Sequence, residues 1–153
     1  MSSSTIYQTD FPRLAATDSV DVALQRMLEN RISDLPVIDA SGALVGMFKL
    51  EKLYAMLLPR GVLLGHGMQD VSFVSDTLQA LREKMRDIGD DPVRDYLVKA
   101  DEVIHPGTPA LEIVLLLHKG VNNVPVVEQD SGRLVGMVSA RDLLTALQPG
   151  AAK

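Results

Sequence analysis

Seven residues near the C-terminus, Gly136-Met137-Val138-Ser139-Ala140-Arg141-Asp142, hold the densest chemistry in the chain. An ionised carboxylate at Asp142 accepts from vicinal hydroxyl groups in charge-assisted hydrogen bonds, which are stronger than neutral ones. Ser139 stands where an apolar strand pattern gives way to a helical one. It lies beside N–H groups that have no partner inside the helix and that favour a phosphate. Arg141 adds a cation for further negative charge. The same residues also fit the Ser-x-x-Asp form of a capping box, in which both side chains serve only the helix's own N–H groups. Both readings stay open on these residues alone.

Little else competes for a chemical role. His66, His105 and His118 fall on a loop, a strand end and a helix end, and no pair has metal-site spacing. The chain has no cysteine, so no disulfide or thiolate site is available. It has no Ser/His/Asp or Cys/His set and no glycine-rich phosphate loop. Asp90-Asp91 and Asp101-Glu102 read as solvated turn residues. No catalytic residue, metal or required cofactor is expected, and the chain is read as not an enzyme. A net charge of -5 and a pI near 5.1 leave no basic stripe for nucleic acid or an anionic membrane. The longest aliphatic run, Ile113–Leu117, is too short to span a bilayer. A cytoplasmic protein is expected.

The elements that must position Ser139 and Asp142 are found by a repeat. Pro36–Met47 returns as Pro125–Met137, and between Pro36 and Leu57 ten positions match once Asp130 is treated as an insertion. Upstream, Ser19–Leu35 aligns without a gap on Thr108–Val124. The period of about 90 residues is too long for a solenoid unit. Each copy reads as β-α-β-β-α. In the first, an extended piece at Arg13–Ala16 leads to Ser19 as a helix N-cap, with Val20, Ala23, Leu24, Met27 and Leu28 on one face. Leu35–Ile38 and Leu44–Phe48 form a hairpin around Gly42, and a helix follows from about Leu50 to Leu58. The second copy predicts a strand at Val103–His105, Thr108 as N-cap with Pro109 at the first helical position, a helix to about Lys119, a hairpin, and helix Ala140–Leu147. The intervening residues predict a helix capped by Asp76 or Thr77 with Leu78, Leu81, Met85 and Ile88 as its apolar stripe, after a looped Arg60–Gly67. The expected fold class is α+β: two repeats packed about a pseudo-twofold axis. The boundaries read 1–11 for a tail, 12–58 for repeat 1, 59–92 for an insert, 93–148 for repeat 2 and 149–153 for a second tail.

The repeated h-P-V-h-D/E pattern, the repeated Leu-Val-Gly strand and the Ser-x-x-Asp ending of the second copy, together in order, resemble the cystathionine β-synthase-type (CBS) domain. A tandem pair resembles a Bateman module. The resemblance implies binding of an adenosine compound such as AMP, ADP, ATP or S-adenosylmethionine. It assigns Asp142 to the ribose hydroxyls and Ser139 to a phosphate. It also implies that this site borrows Thr17, Asp18, the small Ala23 and Ile32-Ser33-Asp34 from the first repeat, with Asn123 facing the phosphates. The equivalent stretch in repeat 1 departs from the pattern, since Lys49 replaces the serine and Lys52 the aspartate. Lysine has no acceptor for a ribose hydroxyl. The pair is either solvated or, with His105 nearby, a second anion site.

The resemblance implies a regulatory module that acts on a separate protein target. The alternative is an interaction module with a vestigial pocket. Leu111–Leu117 is apolar on every side, so a homodimer is expected through this helix and the last helix of each repeat, with Leu116 and its counterpart Met27 at the contact.

Overall fold

The computed structural model describes residues 6–58, 78–100 and 102–150. Helix α1 (Val20–Asn30) starts where Ser19 Oγ accepts from the Val22 N–H at 3.2 Å, and buries Val20, Ala23 and Met27. It stops at Arg31, which takes a left-handed conformation (φ 53°). Its counterpart in the second repeat is Gly120 (φ 98°), so both copies turn the chain in the same way after this helix. Strand β1 (Leu14–Ala15) runs parallel to β2 (Asp34–Ile38), which pairs antiparallel with β3 (Leu44–Lys49). Asp39 holds the turn, its Oδ1 accepting from the N–H groups of Ser41 and Ala43. Helix α2 (Leu50–Leu57) follows directly, with Lys49 as an N-cap that offers no side-chain bond.

The second repeat has the same order. Ile104 bridges in parallel to Val126, then come α4 (Ala110–His118), β4 (Asn123–Val127), β5 (Leu134–Ser139) and α5 (Ala140–Leu147). The fold is therefore α+β, as the repeat pattern predicts. Between the repeats, α3 (Leu78–Ile88) lays Met85 and Ile88 against the first core, and a short 3-10 turn covers Val93–Tyr96. The expected caps Asp76 and Thr77 and the loop Arg60–Gly67 lie outside the described residues.

Three expectations need correction. The cap of α4 is Pro109, not Thr108, because the Thr108 hydroxyl accepts from the His105 N–H at 2.9 Å and so closes the preceding turn. The expected strand at Val103–His105 is reduced to the bridge at Ile104. Leu116 and Met27 are 6% and 4% exposed and belong to their own repeats' cores, so neither is available to a second copy. The α4 face towards solvent is made instead by Leu111, Val114 and Leu115.

The halves are tied by exchange. Gln8 and Met137 form a reciprocal pair of backbone hydrogen bonds at 2.9 Å each, while Val98 and Met47 form another at 2.8 Å each. Ile6 accordingly joins the second-repeat core and Val93 the first. The two hairpin turns also meet, Leu44 N–H donating to Gly132 O and Leu134 N–H to Gly42 O. Met47, Val127, Leu134 and Met137 fill the space between them.

At the axis, two equivalent residues bond to each other: Asn123 Nδ2 donates to Asp34 Oδ1 at 2.6 Å. Asp34 is buried, and desolvation raises its pKa above the ordinary carboxylate value, opposed by the Asn123 bond and by Lys49. Between the unfolded and folded pKa values, the native state then holds more protons than the unfolded chain. Asp34's contribution to stability therefore falls as pH rises across that window and is lowest above it. Asp34→Asn keeps an acceptor for Asn123 and removes the disfavoured charge. Denaturant unfolding should find the variant more stable than wild type at neutral pH, with the gap closing as pH falls through Asp34's folded pKa. A gap that widens on acidification, or a less stable variant at neutral pH, would contradict this.

Candidate functional site

Strand register assembles a polar row across the pseudo-twofold axis. Lys49 is opposite Asp34 in the first hairpin and Asn123 is opposite Ser139 in the second. The Asp34–Asn123 bond joins the two pairs. The row thus ends in a lysine on one side and in the Ser139/Asp142 helix start on the other.

At the Ser139 end the capping box is formed. Asp142 N–H donates to Ser139 Oγ at 3.2 Å, and Ser139 N–H donates to Asp142 Oδ2 at 2.9 Å. The Ser139 hydroxyl also donates to Oδ2 at 3.0 Å. The other oxygen, Oδ1, accepts from Gln8 Nε2 at 2.5 Å. Gln8 is held there because Tyr7-Gln8 lies against Gly136, where a Cβ would come within 2.2 Å of Gln8 O. Only glycine permits that approach. Arg141 is exposed on the first turn of α5.

Of the residues expected from the first repeat, Asp34 reaches the second through Asn123, the register partner of Ser139. Thr17 is exposed. Asp18 Oδ2 accepts from Ala15 N–H at 2.8 Å and from Arg26 Nη1 at 3.2 Å, so this carboxylate holds its own turn. Ala23 is fully buried in the first core, and Ile32 packs on the same core. Ser33 and Asp34 also line a cavity of about 410 Å³ at the Lys49 end of the row.

That cavity combines both repeats. Lys49, Glu51 and Tyr54 come from the start of α2, and Lys119 to Asn123 from the turn after α4, with Glu102 at the rim. Its volume falls within the usual range of small-molecule sites. Its charge is mixed, two lysines against Asp34, Glu51 and Glu102. Lys52 is exposed and His105 Nδ1 bonds to Val127 O at 2.9 Å; neither lines the cavity. Of the expected grouping, Lys49 lines the cavity, whereas Lys52 and His105 do not, His105 being bonded to Val127 of its own repeat. Sequence reasoning missed Lys119, Glu51 and Tyr54. Repeat symmetry holds a signal for the first, since Val121–Asn123 are the counterparts of Ile32–Asp34 and Lys119 stands two residues before them. Gln8 was also missed, and no local pattern marks it.

Among the described residues no group of three or more metal-ligating side chains is found. No helix among them is long and apolar enough to cross a membrane.

Comparison with known proteins agrees with this architecture. The chain is 29% identical over 133 residues to the chloroplastic CBS domain-containing protein CBSX1 of Arabidopsis thaliana, covering 85% of this chain and 56% of that protein. It thus spans little more than half the length of that relative. Among solved structures, a CBS domain-containing protein from Kribbella flavida superposes with a TM-score of 0.73 at 19% identity, covering 94% of this chain and 96% of the other. CBSX2, solved in complex with AMP, gives a TM-score of 0.67 at 22% identity over 95% and 94% of the two chains. The CBS domain profile matches residues 4–58 and 86–149, which is most of the chain and one segment in each half. With the repeat, the paired hairpins and these matches together, the chain belongs to the CBS domain family, as a tandem pair.

Proposed function

We propose that this chain is a regulatory module that binds an adenosine-containing nucleotide between its two CBS repeats and passes the change in geometry to a separate protein. The observation that carries this reading is the division of labour at Asp142. Oδ2 serves the capping box, whereas Oδ1 takes a single side-chain amide. A ribose hydroxyl can take over Oδ1 without undoing the start of α5. Ser139 and its register partner Asn123 then stand towards the phosphate, and Arg141 supplies nearby positive charge. Asp18, committed to Ala15 and Arg26, does not add a repulsive carboxylate there. The AMP bound by the structural relative CBSX2 supports this ligand class. Candidate ligands are AMP, ADP, ATP and S-adenosylmethionine. Lys49 and Lys119 offer a second, weaker place for an anion at the far end of the row.

Thermal unfolding with each of these compounds tests the reading, since ligand at 100 times its Kd stabilises by about 2.7 kcal/mol. Asp142→Ala should lose affinity about a hundredfold or more, because hydrogen bonds to a charged group contribute about 1.5–3 kcal/mol each. It also loses a helix cap, at about 1 kcal/mol of stability, so affinity is compared where both proteins are folded. An unchanged Kd in the variant would reject Asp142 as the ribose contact. No stabilisation by any of the compounds would reject the ligand class.

The alternative reading, an interaction module, draws on the apolar surface. Leu111 is 79% exposed and Leu115 50%, beside a shallow cleft that Pro109, Glu112, Val114 and His118 complete. On α5, Leu144 and Leu147 are also exposed. A homodimer burying these faces is part of both readings, since monomers rarely leave extended apolar patches in water. Light scattering should find a dimer at micromolar concentration and a folded monomer for Leu115→Glu. A monomeric wild type, or a variant that stays dimeric, would refute this interface.

A further inference from the structure

We propose that Gln8 is a built-in competitor for Asp142, so that the segment leading into the first repeat gates the ligand site of the second. This rests on the reading of Asp142 as a ligand contact. The Gln8 amide donates to Oδ1, the one carboxylate oxygen that the capping box leaves over. A ligand hydroxyl and Gln8 Nε2 therefore cannot both bond to Oδ1 along the same direction.

The backbone that carries Gln8 is fixed. Its N–H and C=O both pair with Met137, Ile6 is buried in the second core, and Gly136 lets the segment lie close. Exchange with a ligand thus needs only the exposed Gln8 side chain to rotate away, while the segment stays in place. The device is confined to one end of the molecule. The equivalent backbone pair is Val98 with Met47, and the residue equivalent to Asp142 is Lys52. Valine has no donor to offer and lysine no acceptor.

Calorimetric titration of the full chain with AMP tests the gate. Gln8→Ala removes the amide, and Gln8→Met removes it while keeping the length of the side chain. Both retain the backbone pair with Met137. Each variant should bind AMP about three- to tenfold more tightly than wild type, the range expected for releasing one hydrogen bond at an exposed position. Binding detectable only in the variants would support the gate most strongly. Tightening in Gln8→Ala alone would assign the effect to bulk and overturn the hydrogen-bond competition. If wild type and both variants bind with the same Kd, and Asp142→Ala weakens all three backgrounds, the gate is wrong and the ligand reading stands. If none binds AMP, ADP, ATP or S-adenosylmethionine, the ligand reading falls and the gate falls with it. The Gln8–Asp142 contact would then be purely structural.

Discussion

Each hairpin of this protein is completed by a segment that belongs to the other half of the chain. Gln8 pairs with Met137 and Val98 with Met47, so neither repeat has its full set of backbone partners until both are present. The exchange also distributes the cores, since Ile6 is buried with the second repeat and Val93 with the first. A single repeat of this size would bury a marginal core. Reciprocal pairing makes the two marginal units one cooperative body and fixes their relation about the axis. The hairpin-to-hairpin bonds at Gly42 and Gly132 and the Met47, Val127, Leu134 and Met137 cluster can form only in that relation.

The same symmetry makes the differences between the halves informative. The polar row from Lys49 through Asp34 and Asn123 to Ser139 is built from equivalent positions, yet its ends differ in chemistry. Helix α5 begins with a complete capping box, whereas α2 begins with Lys49 and no side-chain cap. Lysines at a helix start oppose the helix dipole, and Lys52 brings no acceptor to the position that Asp142 holds at the other end. One end is therefore suited to hydroxyl recognition. The other has a cavity of mixed charge, with two lysines and three carboxylates.

Much of this was legible in the sequence because it is local or repeated. The ten matching positions predict the paired hairpins, and Ser19 and Ser139 both cap the helices they were expected to cap. What escaped depends on contacts distant in sequence. Gln8 is 134 residues from Asp142, and its repeat counterpart Val98 shares no chemistry with it. Thr108 carries a hydroxyl like Ser19, but Pro109 moves the helix start by one residue and leaves that hydroxyl to His105. In α4 the aliphatic run Ile113–Leu117 hides which face meets the sheet. The fold shows that Ile113 and Leu116 turn inward and Leu111 and Leu115 outward.

The central claim is that two nearly symmetric halves provide one hydroxyl-recognising nucleotide site, at Asp142. The stoichiometry of AMP binding to the wild-type chain, measured by calorimetric titration to saturation, tests it most directly. The account predicts one tight site per chain. Two equivalent tight sites would contradict it, because the Lys49/Lys52 end would then bind a nucleotide without an acceptor at the position equivalent to Asp142.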